Sequence, residues 1–260
     1  MASREVFVVG AARTAIGGFG GSLRDVPMRR LAAAVTQAAL ERARVPVEQV
    51  GHVVFGNVIP TEPADAYLSR FAALEAGLPE EVPAFNVNRL CGSGLQAIVC
   101  AAQTITANDA DVAIGGGAES MSRGPYIMPA HRWGARMGDT AVVDYMNGIL
   151  HDPWDRIHMG ITAENVAERY GISRAMQDAL ALESQRRAAR AIDEGRFDSQ
   201  IVPIEIASRK GVERFQRDEH VRTGVTAEQL AGMKPAFKQG GTVTAGNASG
   251  INDGAAAVVL

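Results

Sequence analysis

A strand, a tight turn and a helix follow one another in the stretch Asn86-Val87-Asn88-Arg89-Leu90-Cys91-Gly92-Ser93-Gly94-Leu95-Gln96-Ala97-Ile98. The apolar run Pro83–Val87 predicts the strand, and the pattern over Cys91–Ala107 predicts the helix. This order places Cys91 in the first helical turn, where unpaired backbone N–H groups and the positive end of the helix dipole favour a thiolate. Gly92 and Gly94 leave room for a substrate carbonyl. Cys91 is therefore a candidate nucleophile.

The chain has two cysteines, Cys91 and Cys100. Their separation along one predicted helix is too long for an unstrained disulfide, so both are expected to be free thiols. The alternative for Cys91 is the usual one for a free cysteine, a small buried side chain. Cys100 keeps that interpretation because apolar neighbours surround it in the middle of the helix and nothing there lowers the pKa of its thiol.

The first 120 residues alternate extended apolar runs with helical patterns, which predicts a parallel sheet with helices on both faces. The predicted strands are Val6–Val9, His52–Val58, Pro83–Val87 and Asp111–Ile114. The predicted helices are Met28–Ala43, Tyr67–Ala76 and Cys91–Ala107. Glycine follows or separates several of these segments. Neither Gly17–Gly21 nor Gly115–Gly117 has the spacing of a dinucleotide or phosphate loop, so we interpret them as turn and packing glycines.

The pattern changes after Gly115, where no sustained period continues through Trp154. Two helices follow, Thr162–Tyr170 and a longer one that Ser173 caps and that ends near Glu194. Val202–Ile206 predicts a short strand. These changes predict three ranges: an α/β core at 1–120, a loop domain at 121–240 and a return to the core at 241–260.

The last apolar run, Ala255–Leu260, predicts another buried strand. A core strand in that position leaves no later residues to cover the edge of the sheet. We therefore expect the sequence to be a truncated one.

The charge balance excludes several classes of protein. The 260 residues include 26 Lys+Arg and 29 Asp+Glu, a net charge of −3, and 47% of them are hydrophobic. No long basic run indicates nucleic-acid binding. No apolar stretch approaches the roughly 18 residues of a membrane-spanning helix. The composition predicts a cytoplasmic enzyme with a core large enough to need no disulfide or metal.

Five ordered segments carry a resemblance to one family: Arg13-Thr14-Ala15-Ile16-Gly17 with Phe19, Gly21 and Leu23; the Cys91 stretch; Gly115-Gly116-Gly117-Ala118-Glu119-Ser120-Met121-Ser122; His158-Met159-Gly160 with Thr162-Ala163-Glu164; and 241–254, from Gly241-Thr242-Val243 to Asn252-Asp253-Gly254. The chain resembles the thiolases, the acyl-CoA C-acyltransferases that form or cleave 3-ketoacyl-CoA, over essentially its whole length. It looks most like bacterial β-ketothiolases. The resemblance implies an α/β, thiolase-like sheet covered by helices on both faces, with an inserted loop domain.

The resemblance also implies roles for particular residues. Cys91 would take the acyl group as a thioester, and its own backbone N–H would help to hold the thioester oxygen. His158 would lie beside the pantetheine end of coenzyme A (CoA), and Met159 would supply an apolar wall there. Arg222 would meet the CoA nucleotide. The implied CoA contacts in full are His158, Met159, Arg222, Ala236, Phe237, Ala245, Ser249 and Gly250. CoA and acyl-CoA are substrates in this scheme, with no resident cofactor and no metal, and the intact protein would be a homodimer or homotetramer.

Thiolases have a second, similar half that holds an Asn-Glu-Ala-Phe segment, a Gly-His-Pro histidine and a Cys-x-Gly-Gly-Gly cysteine. None of these motifs occurs in the 260 residues. The resemblance therefore implies the nucleophile and much of the CoA site, without the proton-transfer groups. Two alternatives stay open at this point. One is a decarboxylating ketosynthase, and the other is a non-catalytic acyl-CoA-binding module.

Overall fold

A mixed sheet of seven strands, drawn from both early and late parts of the chain, is the largest sheet in a computed structural model that describes residues 4–208 and 211–260. The strands of this sheet are β1 (Gly10–Thr14), β2 (Gly17–Gly18), β3 (Val50–Gly56), β4 (Ala84–Val87), β5 (Val112–Ser120), β8 (Ile201–Val202) and β11 (Asn252–Val259). Two antiparallel two-stranded sheets lie outside it: β6 (Tyr126–Ile127) with β7 (Val143–Asp144), and β9 (Ile204–Ser208) with β10 (Gly211–Phe215).

The helices of the described residues are α1 (Met28–Ala43), α2 (Leu68–Glu75), α3 (Ser93–Thr106), α4 (Tyr145–Ile149), α5 (Met159–Tyr170), α6 (Arg174–Asp193) and α7 (Ala227–Ala231). The predicted bounds of α1 agree with the structure because its apolar positions recur at spacings of three and four residues. Met28, Leu31 and Val35 are fully buried on that face. Ser173 caps α6 as predicted, since its side chain accepts a hydrogen bond from the Met176 N–H.

Strand order in the sheet is β4-β3-β5-β11-β1-β8, with β2 paired to β11. β3 is parallel to β4 and β5, and β8 is parallel to β1. β11 is antiparallel to both of its neighbours, β5 and β1. The predicted parallel sheet is therefore a mixed one.

The expectation that the last strand leaves a sheet edge uncovered was wrong. β11 lies in the middle of the sheet, where β5 pairs with one of its edges and β1 with the other. Small residues make this tight central placement possible, because Ala256 and Ala257 face Gly117 and Gly116 of β5.

Helices cover both faces of this sheet. Neighbouring residues in the register Gly10, Val259 and Ile114 share a face, and a Cβ added to Gly10 would lie 2.5 Å from the Ala39 carbonyl oxygen of α1. The next residue of β5, Gly115, points to the opposite face, where an added Cβ would lie 2.7 Å from the Ile98 Cα of α3. Gly115–Gly117 are therefore packing residues inside a strand, and their interpretation as turn residues was wrong.

Two further sequence predictions were wrong in position. The predicted strand Val6–Val9 lies wholly before β1, which begins at Gly10, and Phe7 and Val8 are 65% and 62% exposed. The register explains this shift, because β11 pairs from Val259 with Gly10. The helix predicted from Cys91 begins at Ser93.

The chain divides into two compact units. The core unit comprises Met1–Gly124, Asp198–Glu219 and Ile251–Leu260, and the inserted unit comprises Pro125–Phe197 and His220–Gly250. This division differs from the predicted ranges because 198–219 belongs to the core unit, where Ile201 pairs with Arg13 in the sheet. It also differs at 241–250, which belongs to the inserted unit. Among the described residues, no helix has the length and apolar character to cross a membrane.

Candidate active site and coenzyme-binding residues

The side chains of Asn88 and Ser93 hold the turn that carries Cys91 between β4 and α3. Asn88 Oδ1 accepts a hydrogen bond from the Leu90 N–H at 2.9 Å. The Ser93 hydroxyl accepts one from the Arg89 N–H at 2.8 Å and donates one to the Leu90 carbonyl at 2.6 Å. Leu90 has a φ of 50°, a left-handed conformation that costs a branched residue free energy. A strained turn at this point resembles those that present nucleophiles.

Cys91 is exposed and immediately precedes Gly92, the N-cap of α3. The sequence analysis had placed Cys91 in the first turn of the helix. In the structure it lies just outside the helix. The 14 residues of α3 still direct the positive end of their dipole toward this position. Cys100, by contrast, is half-buried within the helix and accepts a hydrogen bond from Gln96 Nε2 at 3.3 Å.

An open cleft of about 380 Å³ in the core unit is lined by Cys91. Most of the other lining residues are small or apolar: Ile16, Gly56, Val58, Leu90, Ser93, Gly94, Gly117, Ala118, Gly254, Ala255 and Ala256. Arg13, Glu119, Asn252 and Asp253 supply its polar positions. A small acyl chain fits such a surface, because little polar area would have to be desolvated.

Glu119 is a polar lining residue that the sequence analysis did not single out as a site residue. Its carboxylate accepts hydrogen bonds from the backbone N–H groups of Val58 and Ile59 at 2.9 and 3.0 Å, and from Asn57 Nδ2 at 3.0 Å. Burial raises the pKa of Glu119, although these hydrogen bonds oppose the rise. The signals in the sequence were its place two residues after the glycines of β5 and its membership of the segment Gly115–Ser122 that carries the family resemblance.

Arg13 and Asp253 are held firmly in the same cleft. Arg13 makes a two-pronged ion pair with Asp218, with nitrogen to oxygen distances of 2.8 and 3.0 Å. Burial alone would raise the pKa of Asp218, but the hydrogen bonds from Arg13 and from the Ile16 N–H outweigh it and lower the pKa. Asp253 is 1% exposed and accepts a hydrogen bond from the Ser122 N–H at 2.9 Å.

In the inserted unit, His158 is the N-cap of α5. Its Nδ1 accepts a hydrogen bond from the Gly160 N–H at 3.0 Å, which leaves the ring proton on Nε2. The ring stacks on Phe237 with centroids 4.7 Å apart and packs edge-on against His151 at 5.0 Å. Burial, and then the charge of His151, lower the pKa of His158, so the neutral ring is favoured.

The structure brings most of the other predicted CoA contacts together around one loop. Met159 follows His158 and is 40% exposed. The Ala236 N–H donates to the Val243 carbonyl at 2.9 Å, which places the segment of Ala236 and Phe237 beside the loop at 243–250. Ala245, Ser249 and Gly250 belong to that loop.

Two cavities flank the same loop in the inserted unit. Arg222 and Ala245 line one of about 370 Å³, together with Leu230, Met233 and Gly246. Ser249 and Gly250 line another of about 380 Å³, together with Gln177 and Ser184. Gln185, His220, Gly246 and Ala248 line both. The predicted CoA contacts therefore form two groups, one around His158 and Phe237 and one around these cavities, while Cys91 belongs to the core unit.

Buried carboxylates, which the sequence analysis did not single out as site residues, anchor this loop. Glu164 is 4% exposed and accepts hydrogen bonds from the Thr242 and Val243 N–H groups, both at 2.7 Å, and from the Thr242 hydroxyl at 2.8 Å. Asp178 accepts one from Asn247 Nδ2 at 2.9 Å. Glu164 lies 78 residues from Thr242, and Asp178 lies 69 residues from Asn247.

Comparison with known proteins identifies the family of the chain. The family model described as "Thiolase, N-terminal domain" matches residues 6–260. The chain belongs to the thiolase family. The "Beta-ketothiolase BktB" of Cupriavidus necator is 62% identical over 259 residues, which cover 99% of this chain and 66% of that protein. The family match decides against the ketosynthase alternative.

Solved thiolases share this fold over nearly the whole chain. The Bacillus anthracis acetyl-CoA acetyltransferase superposes with a TM-score of 0.95 at 45% identity, covering 100% of this chain and 66% of that one. Human mitochondrial 3-ketoacyl-CoA thiolase in complex with CoA superposes with a TM-score of 0.92 at 42% identity, covering 97% of this thiolase chain and 63% of that one. The chain thus spans about two thirds of the length of the relatives that it matches.

Proposed function

We propose that this chain carries the acyl-accepting nucleophile and the coenzyme A site of an acyl-CoA C-acyltransferase. The observation that carries the proposal is the exposed Cys91 thiol, presented by a strained turn at the start of α3 in a cleft of small residues. In the reaction, the Cys91 sulfur attacks the thioester carbonyl of an acyl-CoA. The bond to the CoA sulfur breaks, CoA leaves as the thiol with the cysteine proton, and the acyl group stays on Cys91 as a thioester.

The residues of the inserted unit would hold CoA. The relative solved in complex with CoA supports CoA as the ligand, and the cavities around the 243–250 loop support its placement in this unit. Arg222 would pair with a phosphate, Ser249 would hydrogen-bond a pantetheine amide, and His158 with Met159 and Phe237 would line the pantetheine path. No resident cofactor enters this scheme.

Completing the cycle requires a base that removes a proton from the second substrate or from CoA. In thiolases, as the resemblance implies, the Gly-His-Pro histidine activates the nucleophile and the second cysteine moves the substrate α-proton, and neither motif occurs in the 260 residues. We expect this chain to accept one acyl group and then stop. Steady-state thiolysis of acetoacetyl-CoA by a chain of confirmed mass should be absent, and sustained turnover would contradict this division of roles.

The direct test is mass spectrometry of the chain after incubation with acetyl-CoA. We expect one acetyl group, located on Cys91 by peptide mapping, and none in Cys91→Ala. Binding of CoA without any acylation of Cys91 would favour the alternative of a non-catalytic acyl-CoA-binding module. The homodimer or homotetramer and the cytoplasmic location stay predictions, the former to be checked by analytical ultracentrifugation.

A further inference from the structure

A single carboxylate in α6 joins the two walls of the cavity that Arg222 lines. Asp178 is 8% exposed. Its Oδ2 accepts a hydrogen bond from Arg174 Nε at 2.7 Å, and its Oδ1 accepts one from Asn247 Nδ2 at 2.9 Å. Asp178 itself does not line the cavity, but each of these two partners hydrogen-bonds to one of its walls.

The first partner reaches the wall formed by the end of α7. Arg174 Nη2 donates to the Leu230 carbonyl and to the Met233 carbonyl, the latter at 3.1 Å. Both Leu230 and Met233 line the cavity. The Arg174 guanidinium therefore fixes the backbone of this wall, and Asp178 fixes the guanidinium.

The second partner holds the loop that forms the opposite wall. Asn247 Nδ2 also donates to the Thr242 carbonyl at 3.1 Å, and its Oδ1 accepts from the Thr244 N–H at 2.8 Å. Ala245, Gly246 and Ala248 of this loop line the cavity. The Asn247 side chain thus shapes the turn from inside.

The two walls are already in close contact at one point. A Cβ added to Gly246 would lie 2.6 Å from both Leu230 Cδ2 and Met233 Sδ. A small displacement of either wall therefore changes the shape of the cavity, because closely packed atoms transmit the displacement to their neighbours.

We propose that Asp178 is a positioning residue that sets the width of the Arg222 cavity and thereby the affinity for the nucleotide part of CoA. This inference rests on the proposed function, because it takes CoA as the occupant of the cavity. Asp178 touches no substrate atom and takes no part in acyl transfer. It should control how tightly acyl-CoA binds and leave the rate of transfer from bound acyl-CoA unchanged.

The test is the variant Asp178→Asn. An asparagine cannot accept from Arg174 and Asn247 at once, because one of its two side-chain positions becomes an NH₂ donor. The matched control is Glu183→Gln, which breaks an exposed Arg187–Glu183 ion pair of the same spacing in the same helix; neither Glu183 nor Arg187 lines the cavity. Thermal melting checks that each variant is folded.

Two measurements decide the question: calorimetric titration with CoA, and the rate of Cys91 acetylation as a function of acetyl-CoA concentration. In Asp178→Asn we expect CoA affinity to fall about tenfold, in line with one lost hydrogen bond to a charged group. The half-saturating acetyl-CoA concentration should rise by the same factor, with the limiting rate unchanged. Glu183→Gln should match the wild-type chain in both measurements.

A second variant guards against misfolding of the first. Asn247→Ala cuts the same link from its other end and should also weaken CoA binding. Because Asn247 itself lines the cavity of Ser249 and Gly250, the deciding quantity is the coupling: combining it with Asp178→Asn should weaken binding less than the sum of the two effects. Equal CoA affinity in the wild type and both single variants would overturn the inference and leave the proposed function intact. A loss confined to the limiting rate would also overturn it. A wild-type chain that binds no CoA would overturn the proposed function itself, and the inference with it.

Discussion

His158 and Phe237 stack face to face, with ring centroids 4.7 Å apart and an angle of 18° between the ring planes. Backbone space at Gly160 makes this stack possible, because a Cβ there would lie 2.2 Å from Phe237 Cγ. The same glycine donates its N–H to His158 Nδ1. One residue without a side chain therefore positions both rings.

Gly160→Ala should displace the Phe237 ring and separate it from His158. We expect a loss of about 1–2 kcal/mol in the free energy of unfolding, because overpacking outweighs the gain in helix propensity. CoA affinity should fall as well. Urea denaturation and calorimetry measure the two effects.

Gly148→Ala is the matched control for that variant. Gly148 is also helical, but an added Cβ would make only an ordinary contact, 4.0 Å from Val143 Cγ1. We expect this change to be neutral or stabilising. Unchanged stability and CoA affinity in Gly160→Ala would show that the ring stack can move without consequence.

The two thiols should react at different rates with iodoacetamide. Cys91 is exposed, whereas Cys100 is half-buried and accepts a hydrogen bond from Gln96. Because access and local electrostatics control thiol reactivity, we expect Cys91 to be alkylated at least about tenfold faster. Peptide mass spectrometry at short reaction times measures both rates in one sample. Preferential labelling of Cys100 in the folded chain would contradict the assignment of the nucleophile.

Arg222→Ala tests the nucleotide contact. If the guanidinium pairs with a CoA phosphate, its removal should weaken CoA binding about tenfold and reduce the salt dependence of the affinity. Calorimetry at low and high salt gives both quantities. The controls are Lys234→Ala and Lys238→Ala. If one of these lysine variants changes the salt dependence and Arg222→Ala does not, the phosphate contact lies at the lysine.

Local signals account for what the sequence predicted well. The bounds of α1 followed from its apolar period, and the Ser173 cap from a residue type that competes for backbone N–H groups. The Cys91 turn was recognisable because a glycine-containing break separates an apolar run from a helical pattern. The strain of this turn could not be predicted, because leucine is not a residue type that favours the left-handed conformation that Leu90 adopts.

Long-range pairing accounts for what the sequence did not reveal. The central, antiparallel position of β11 depends on its pairing with β1 and β5, which lie far earlier in the chain. Its alanine-rich sequence alone is compatible with either an edge strand or a central strand of a sheet. Asp178 and Glu164 look like ordinary helical carboxylates until the fold brings the 242–247 loop against them. Such partners are set by tertiary structure, which no local window of sequence contains.

The Glu164 carboxylate should make the stability of the chain depend on acidity. Burial alone would raise its pKa, but the hydrogen bonds from Val243 and Thr242, with the charge of Lys238, outweigh burial and hold the pKa below its ordinary value of 4.5. The unfolded carboxyl therefore takes up its proton at a higher pH than the folded one. This stabilisation is fully present above about pH 4.5 and is lost as the pH falls through the folded pKa.

Glu164→Gln should remove that contribution, because an amide cannot accept all of these hydrogen bonds. We expect a loss of about 2 kcal/mol in the free energy of unfolding at neutral pH, shrinking as the solution is acidified below the ordinary carboxyl pKa. The control is Glu168→Gln, one turn later in α5, whose carboxylate is 77% exposed and pairs only loosely with Lys238 at 3.5 Å. Exposed pairs contribute little, so this variant should follow the wild type at every pH. Urea denaturation across the acid range gives the three curves, and a constant gap between the wild type and Glu164→Gln would mean that the side chain stabilises the loop through packing and not through its charge.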